Sequence, residues 1–356
     1  MLNVKTHNKM GEIKLMKGNE AIAEAFIRAG VDAYFGYPIT PQSEVIEYLA
    51  AQQPEKRTGM VLLQAESEVA AINMVYGAAC TGKKVVTTSS SPGISLMQEG
   101  ISYIAGSEVP CVVVNVVRGG PGLGTIQPSQ ADYFQTTKGG GHGDYHLIAL
   151  APASVQEMVD FVPLAFDLAF KYRNPAIILS DGVIGQMMEK VELFDQMPRI
   201  TNKEIEEKYK DWALYGKTNR EEHNIITSLD LVPETQELFN LKLKKKYEEI
   251  SQKEVRYEKI ACEDAEYLLV AYGSSSRICQ KTIKLAREEG IKLGLLRPIT
   301  VWPFPYEPIK EMVPQLKGIL SVEMSLGQMV EDVQLAAECK IPVKHYGRVG
   351  GMIPSP

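Results

Sequence analysis

The feature that most constrains this chain is an alternation, sustained over its first half, between short apolar runs that suit a strand and longer runs with helical periodicity. Over 19–30, Ile22, Ala23, Phe26 and Ile27 fall on one helical face, with Asn19 as the expected cap and Gly30 as the stop. A strand is expected over 31–35. GYPITPQSEVIEYLAAQ then reads as a tight turn and a helix, with Thr40 as N-cap and Pro41 as first helical residue. Further strands are expected at 60–64, 84–88, 111–117 and 176–180, and helices at 67–80, 92–105 and about 154–172. Parallel strands need long crossovers, and helical crossovers cover the faces of the sheet. The fold class is therefore α/β, with a parallel sheet covered on both sides.

From about 191 to 258 the sequence turns charged and rich in Tyr and Lys, as in LKLKKKYEEISQKEVRYEK, which reads as a solvated helical connector. After it, EYLLVAYGSSS, a helix to 289, IKLGLL, a helix around 308–315, GILSVE, a helix over 326–338 and PVKHYG make a second, smaller βαβ unit. The expected division is 1–190, a connector 191–258 and a second domain 259–356.

A formal charge of -6 argues against a nucleic-acid partner, because neutralising phosphates takes clustered Lys and Arg. The five cysteines are scattered, with no Cys-x-x-Cys pair and no ligand spacing, so neither an iron–sulfur cluster nor a structural zinc is expected on this chain. Such thiols suit a reducing compartment, and a cytoplasmic location is expected. No apolar run is long enough for a membrane helix, and the first twenty residues lack the apolar core of a signal peptide. Residues 1–10 carry no pattern and read as a ragged start, with Met10 as a possible second initiator.

Two glycine-rich stretches imitate nucleotide sites. GAACTGKK (77–84) puts Lys84 where a phosphate loop needs a hydroxyl, and its first glycine lies in a helix rather than after a strand. GPGLGT (120–125) has Thr125 at the third glycine position and Pro128 where a helix should run. The second is better read as a flexible loop at the carboxyl end of a sheet strand, where open α/β proteins place their ligands.

Candidate chemistry gathers around the same strand ends. Thr40 either caps a helix or offers its hydroxyl to a carboxylate or carbonyl. Glu68, in a helix's first turn, either offsets the helix dipole or exchanges a proton with a flat ring lying on the small residues that follow it. Arg118, ending CVVVNVV, makes either a structural ion pair or a clamp for a substrate carboxylate. His142, in GGGHGDYH, reads as a loop residue rather than a general base.

Taken together, GYPITPQSE, QAESEVAA, TSSSPGISLMQEGISYIAGSEVPCVVVNVVRGGPG, GGGHGDYHLIALAP and the terminal GRVGGMIPSP resemble the alpha subunit of the 2-oxoacid:ferredoxin oxidoreductases, closest to its branched-chain (2-oxoisovalerate) members. The resemblance implies a pyrimidine-binding thiamine-diphosphate fold to about residue 190, followed by a domain like the C-terminal domain of transketolases. It also implies that Glu68 meets N1′ of the cofactor's aminopyrimidine, with Pro38 and Ile39 beside the cofactor, and that Thr40 and Arg118 hold the 2-oxoacid. The family's diphosphate and Mg2+ motif, Gly-Asp-Gly followed by a distant Asn, is not continued at Gly143-Asp144 or Asp181-Gly182. A beta subunit is therefore expected to complete the cofactor site, a ferredoxin-like delta subunit to carry the iron–sulfur clusters, and a gamma subunit to join them. Coenzyme A is expected to take the acyl group. Alternatives are a 2-oxoglutarate or general 2-oxoacid enzyme, and a scaffold subunit that keeps the fold without chemistry.

Overall fold

The computed structural model describes residues 11–217 and 222–356; the expected ragged start and Met10 lie outside the described residues. Its strands are β1 (Glu12–Lys17), β2 (Ala33–Gly36), β3 (Val61–Gln64), β4 (Val85–Ser89), β5 (Val112–Val117), β6 (Ile148–Leu150), β7 (Ala176–Asp181), β8 (Met188–Leu193), β9 (Tyr257–Ile260), β10 (Tyr267–Val270), β11 (Leu293–Pro298), β12 (Thr300–Trp302), β13 (Gly318–Glu323) and β14 (Val343–Gly347). The large sheet has the order β12-β6-β7-β5-β4-β2-β3 and is parallel except for β12, which runs antiparallel to β6. All six residues of its central strand β5 are buried, as helices on both faces require. A second sheet, β14-β13-β10-β11-β9, is parallel except for β9. β1 and β8 form a separate antiparallel ribbon.

Two expected helix starts are displaced, for the same reason. The first helix, Gly18–Arg28, has Lys17 rather than Asn19 at its N-cap. Asn19 is buried inside it, and its amide donates to the Pro41 carbonyl at 2.7 Å and to Glu44 at 2.9 Å. The second helix, Ser43–Gln52, starts beyond both Thr40 and Pro41, with Gln42 at its N-cap and a cis bond between Thr40 and Pro41. The Thr40 and Pro41 carbonyls are taken by donors from elsewhere in the fold, so neither residue serves the helix.

The charged connector is less solvated than its composition suggests. Helix Pro233–Lys253 buries Leu243, Tyr247 and Ile250, one stripe at helical spacing. Lys246 pairs with Glu108 at 3.3 Å, and Glu254, just beyond the helix, receives Lys171 at 2.6 Å. The two large sheets are also stitched together. Gln130 donates to the Tyr272 carbonyl at 2.9 Å and accepts from Ser275 at 2.7 Å and the Met324 N–H at 3.0 Å. Buried Arg297 donates from Nη2 to both oxygens of Glu157 at 2.7 and 2.8 Å. Among the described residues no helix is long and apolar enough to cross a membrane.

Candidate active site

The loop 37–42 leaves the carboxyl end of β2 and is fixed through its own carbonyls. Gln42 donates to the Tyr37 carbonyl at 3.1 Å and accepts from Thr88 of β4 at 2.6 Å, and Thr88 in turn meets the Tyr34 hydroxyl at 2.8 Å. Asn19 and Gln186 both donate to the Pro41 carbonyl, at 2.7 and 2.8 Å. Arg118 Nη1 donates to the Thr40 carbonyl at 3.0 Å. With its backbone held this way, Thr40 presents an exposed side chain, while Pro38 and Ile39 are half-buried.

Glu68 is the first residue of helix Glu68–Ala79, whose cap Ser67 accepts from the Ala70 N–H at 3.2 Å. Its side chain is buried, with 6% of the residue exposed, and it has no hydrogen bond or ion pair among the described residues. Gly93, in the first turn of helix Ser91–Gly106, lies directly against it. A Cβ added there would stand 2.6 Å from Glu68 Oε1 and 2.1 Å from Ser89 Oγ, itself buried without a partner. Burying a polar group without a partner is costly, so the orphaned Ser89 hydroxyl, beside a carboxyl that makes no hydrogen bond and is still reached by solvent, marks a place that a ligand completes.

Arg118 caps β5 within the same neighbourhood. Besides Thr40 it donates from Nη2 to the Leu123 carbonyl at 3.0 Å, and its Nε is buried without a partner. Its backbone N–H donates to Ser91 Oγ at 3.1 Å, so the first turn of helix Ser91–Gly106 touches Arg118 at one residue and Glu68 two residues later. The structural ion pair is not present: Arg118 has no carboxylate partner among the described residues, and it braces two loop carbonyls instead. The glycine-rich loop it braces is folded tightly on itself. Thr125 N–H donates to the Gly119 carbonyl at 2.8 Å, and a Cβ on Gly124 (φ 56°) would fall 1.8 Å from that oxygen.

Other candidates lie apart or are structural. His142 sits on an exposed loop with Nδ1 3.5 Å from Ser102 Oγ and its ring edge-on to Tyr103. Asp181 is buried, and burial pushes its carboxyl up; it caps the short helix Gly182–Gln186 and accepts from the Ser274 N–H at 2.9 Å, joining the two sheets. Among the described residues no group of three or more His, Cys, Asp or Glu side chains is placed to hold a metal ion. Burial pushes the Cys111 and Cys279 thiols up to about 12, which makes them packing residues rather than nucleophiles. The residues that build the site without having stood out in the sequence are Gln42, Gly93 and Gln186, while Asn19 had stood out only as a helix cap. The only signal any of them gave was an amide or a glycine inside an otherwise apolar or helical pattern.

A large, mostly parallel sheet joined to a second, smaller and mostly parallel sheet is a fold that this chain shares with other proteins. A split-gene transketolase has this fold at a TM-score of 0.58 and 14% identity, covering 95% of this chain and 91% of that one. The family model described as pyruvate flavodoxin/ferredoxin oxidoreductase, thiamine-diphosphate-binding, matches residues 24–259, and that of pyruvate:ferredoxin oxidoreductase core domain II matches 265–356. The chain belongs to this 2-oxoacid:ferredoxin oxidoreductase family. Among its relatives, the ketoisovalerate oxidoreductase subunit VorB of Methanothermobacter marburgensis is 50% identical over 95% of this chain and 93% of its own length. The 2-oxoglutarate synthase subunit KorA of Methanocaldococcus jannaschii is 37% identical over 97% of both chains. A solved 2-oxoglutarate:ferredoxin oxidoreductase from Magnetococcus marinus superposes with a TM-score of 0.85 at 29% identity, covering 97% of this chain; this chain spans 64% of that one.

Proposed function

We propose that this chain is the alpha subunit of a branched-chain 2-oxoacid:ferredoxin oxidoreductase, contributing the pyrimidine-facing half of a thiamine-diphosphate site. The observation that carries the reading is Glu68 at a helix start, 6% exposed and without a hydrogen-bond partner among the described residues, beside Gly93 and the orphaned Ser89 hydroxyl and within the same packed neighbourhood as Arg118. Thiamine diphosphate, when bound, supplies the nucleophilic carbon and the electron sink for decarboxylation. Glu68 then holds or passes a proton at N1′ of the aminopyrimidine, a partner that satisfies its buried carboxyl. Gly93 leaves the space for a ring to approach, and Pro38 and Ile39 wall it. Arg118, with its Nε and further N–H groups still available, and the Thr40 hydroxyl orient the 2-oxoacid's carboxylate.

The diphosphate and Mg2+ end of the cofactor is assigned to a beta subunit and the iron–sulfur clusters to a ferredoxin-like delta subunit. A gamma subunit completes the assembly, coenzyme A accepts the acyl group, and the electrons leave to ferredoxin. Residues to about 190 form the pyrimidine-binding unit and 259–356 the transketolase-like one, in the cytoplasm. The branched-chain substrate rests on the ketoisovalerate relatives, which are 50% and 49% identical, against 37% for the first 2-oxoglutarate relative. The test is to co-express the chain with its partner subunits and measure coenzyme-A-dependent viologen reduction by 2-oxoisovalerate, 2-oxoglutarate and pyruvate. Preference for 2-oxoisovalerate is expected. Preference for another acid would change the substrate alone, and no reduction by an intact complex would point to a scaffold subunit.

A further inference from the structure

The terminal motif GRVGGMIPSP has no role in the site as described so far, yet the fold brings it there. Val349 and Met352 close a turn through the bond from Met352 N–H to the Val349 carbonyl, at 3.2 Å. The two central residues, Gly350 and Gly351, have φ of 64° and 91°, which suits glycine at both positions. This turn rests on the glycine-rich loop after Arg118. A Cβ on Gly119 would stand 3.5 Å from Gly351 N, and one on Gly351 would stand 2.3 Å from Gln127 Cβ. Beyond the turn, Ile353 joins Ile126, Val183 and Met187 in lining a cleft of about 590 Å³ that also opens onto Thr40.

We propose that this cleft receives the side chain of the 2-oxoacid and that Ile353, carried by the C-terminal tail, is a specificity-determining residue of the reaction; this rests on the reading that Thr40 and Arg118 hold the substrate's carboxylate. The chemistry of the walls selects the substrate class. Pro41 and Pro128 add to these apolar walls, no Lys, Arg or His is among the lining residues, and the one charged group is the carboxylate of Glu44. Burial alone would raise that carboxyl, but Lys17, at 2.6 Å, holds it below the usual range, so it is an anion at neutral pH. Such walls accept an uncharged branched side chain, whereas the second carboxylate of a dicarboxylic 2-oxoacid would lose water there and meet no lining Lys, Arg or His, Lys17 being already engaged by Glu44.

The test uses the assembled complex with two substitutions in this chain. Ile353 is 44% exposed, so Ile353→Lys leaves packing intact while placing a cation in the cleft. It is expected to lower kcat/KM for 2-oxoisovalerate relative to 2-oxoglutarate at least about tenfold. Gly351→Ala, which forces the turn off Gln127, is expected to raise KM for 2-oxoisovalerate with a smaller change in kcat. A selectivity ratio within about twofold of the unsubstituted complex for both variants would overturn the inference, by the same scale of side-chain discrimination. So would loss of subunit assembly in Ile353→Lys, which would make this face a subunit contact. Failure of the unsubstituted complex to turn over any 2-oxoacid would instead overturn the reading beneath it, and the inference with it.

Discussion

Arg118 donates to the carbonyl of Thr40 at 3.0 Å and, with its other terminal nitrogen, to the carbonyl of Leu123 at the same distance. One guanidinium thus ties the loop that presents Thr40 to the glycine-rich loop at the end of β5. Its planar fork is what makes this possible, since two acceptors on different loops are met by rigidly related donors.

Arg118→Lys should therefore do more than shorten a side chain. An ammonium on a flexible stem cannot brace both carbonyls and still reach a substrate carboxylate. Losing one charge-assisted hydrogen bond is worth about 1.5–3 kcal/mol, which corresponds to a fall in kcat/KM of roughly 10- to 100-fold. Steady-state kinetics of the assembled complex read this directly, and an unchanged KM for the 2-oxoacid would separate Arg118 from substrate binding.

Gly93→Ala places a methyl group where Glu68 Oε1 and Ser89 Oγ now stand, at 2.6 and 2.1 Å. Overpacking of this kind costs about 1–3 kcal/mol, and here the groups that must move include Glu68, proposed above to meet the cofactor. Turnover should fall far more than the melting temperature does. A variant that melts lower yet turns over normally would show that the contact serves packing alone.

The large sheet was legible from sequence because its strands are apolar runs between helices of clear periodicity, and Glu68 fell at the start of its helix as expected. Thr40 was misplaced as a cap because local pattern cannot reveal that Arg118, 78 residues away, takes its carbonyl. Asn19 misled in the same way, its amide serving Pro41 rather than its own helix. β6 and β12 are three residues each, too short for any period to register, and β12 reaches the large sheet from the far end of the chain. The charged connector hid a three-residue buried stripe under a composition dominated by its wet face.

Glu24 gives a pH-dependent prediction. Its side chain is 1% exposed and receives Arg57 on both oxygens at 2.8 Å and Arg28 at 2.8 Å. Burial alone would raise its carboxyl, but the two guanidiniums hold it below the usual 4.5. A carboxyl lowered by folding contributes stability that is fully present above its unfolded value and is lost as pH falls through the folded one. Glu24→Gln should therefore destabilise the complex by about 3 kcal/mol near neutral pH, with the difference from wild type shrinking only below about pH 4.5. Melting curves across pH test it; a difference that stays constant into acid would contradict the ion-pair origin.

A chain ending at residue 259 should not fold on its own. It would leave β6 as an open edge without β12, and Gln130 and Asp181 without the partners Tyr272 and Ser274. Aggregation of that fragment on size-exclusion chromatography is expected, whereas a soluble monomer would show the large sheet to be self-sufficient.

The most direct test is Glu68→Gln in the co-expressed complex, with coenzyme-A-dependent viologen reduction by 2-oxoisovalerate as the readout. The amide keeps the shape of the side chain but cannot exchange a proton with a ring nitrogen as a carboxyl does. The expected result is a loss of turnover of at least about 100-fold with subunit assembly unchanged. Turnover close to that of the unsubstituted complex would contradict the assignment of Glu68 as the residue through which this chain takes part in the chemistry.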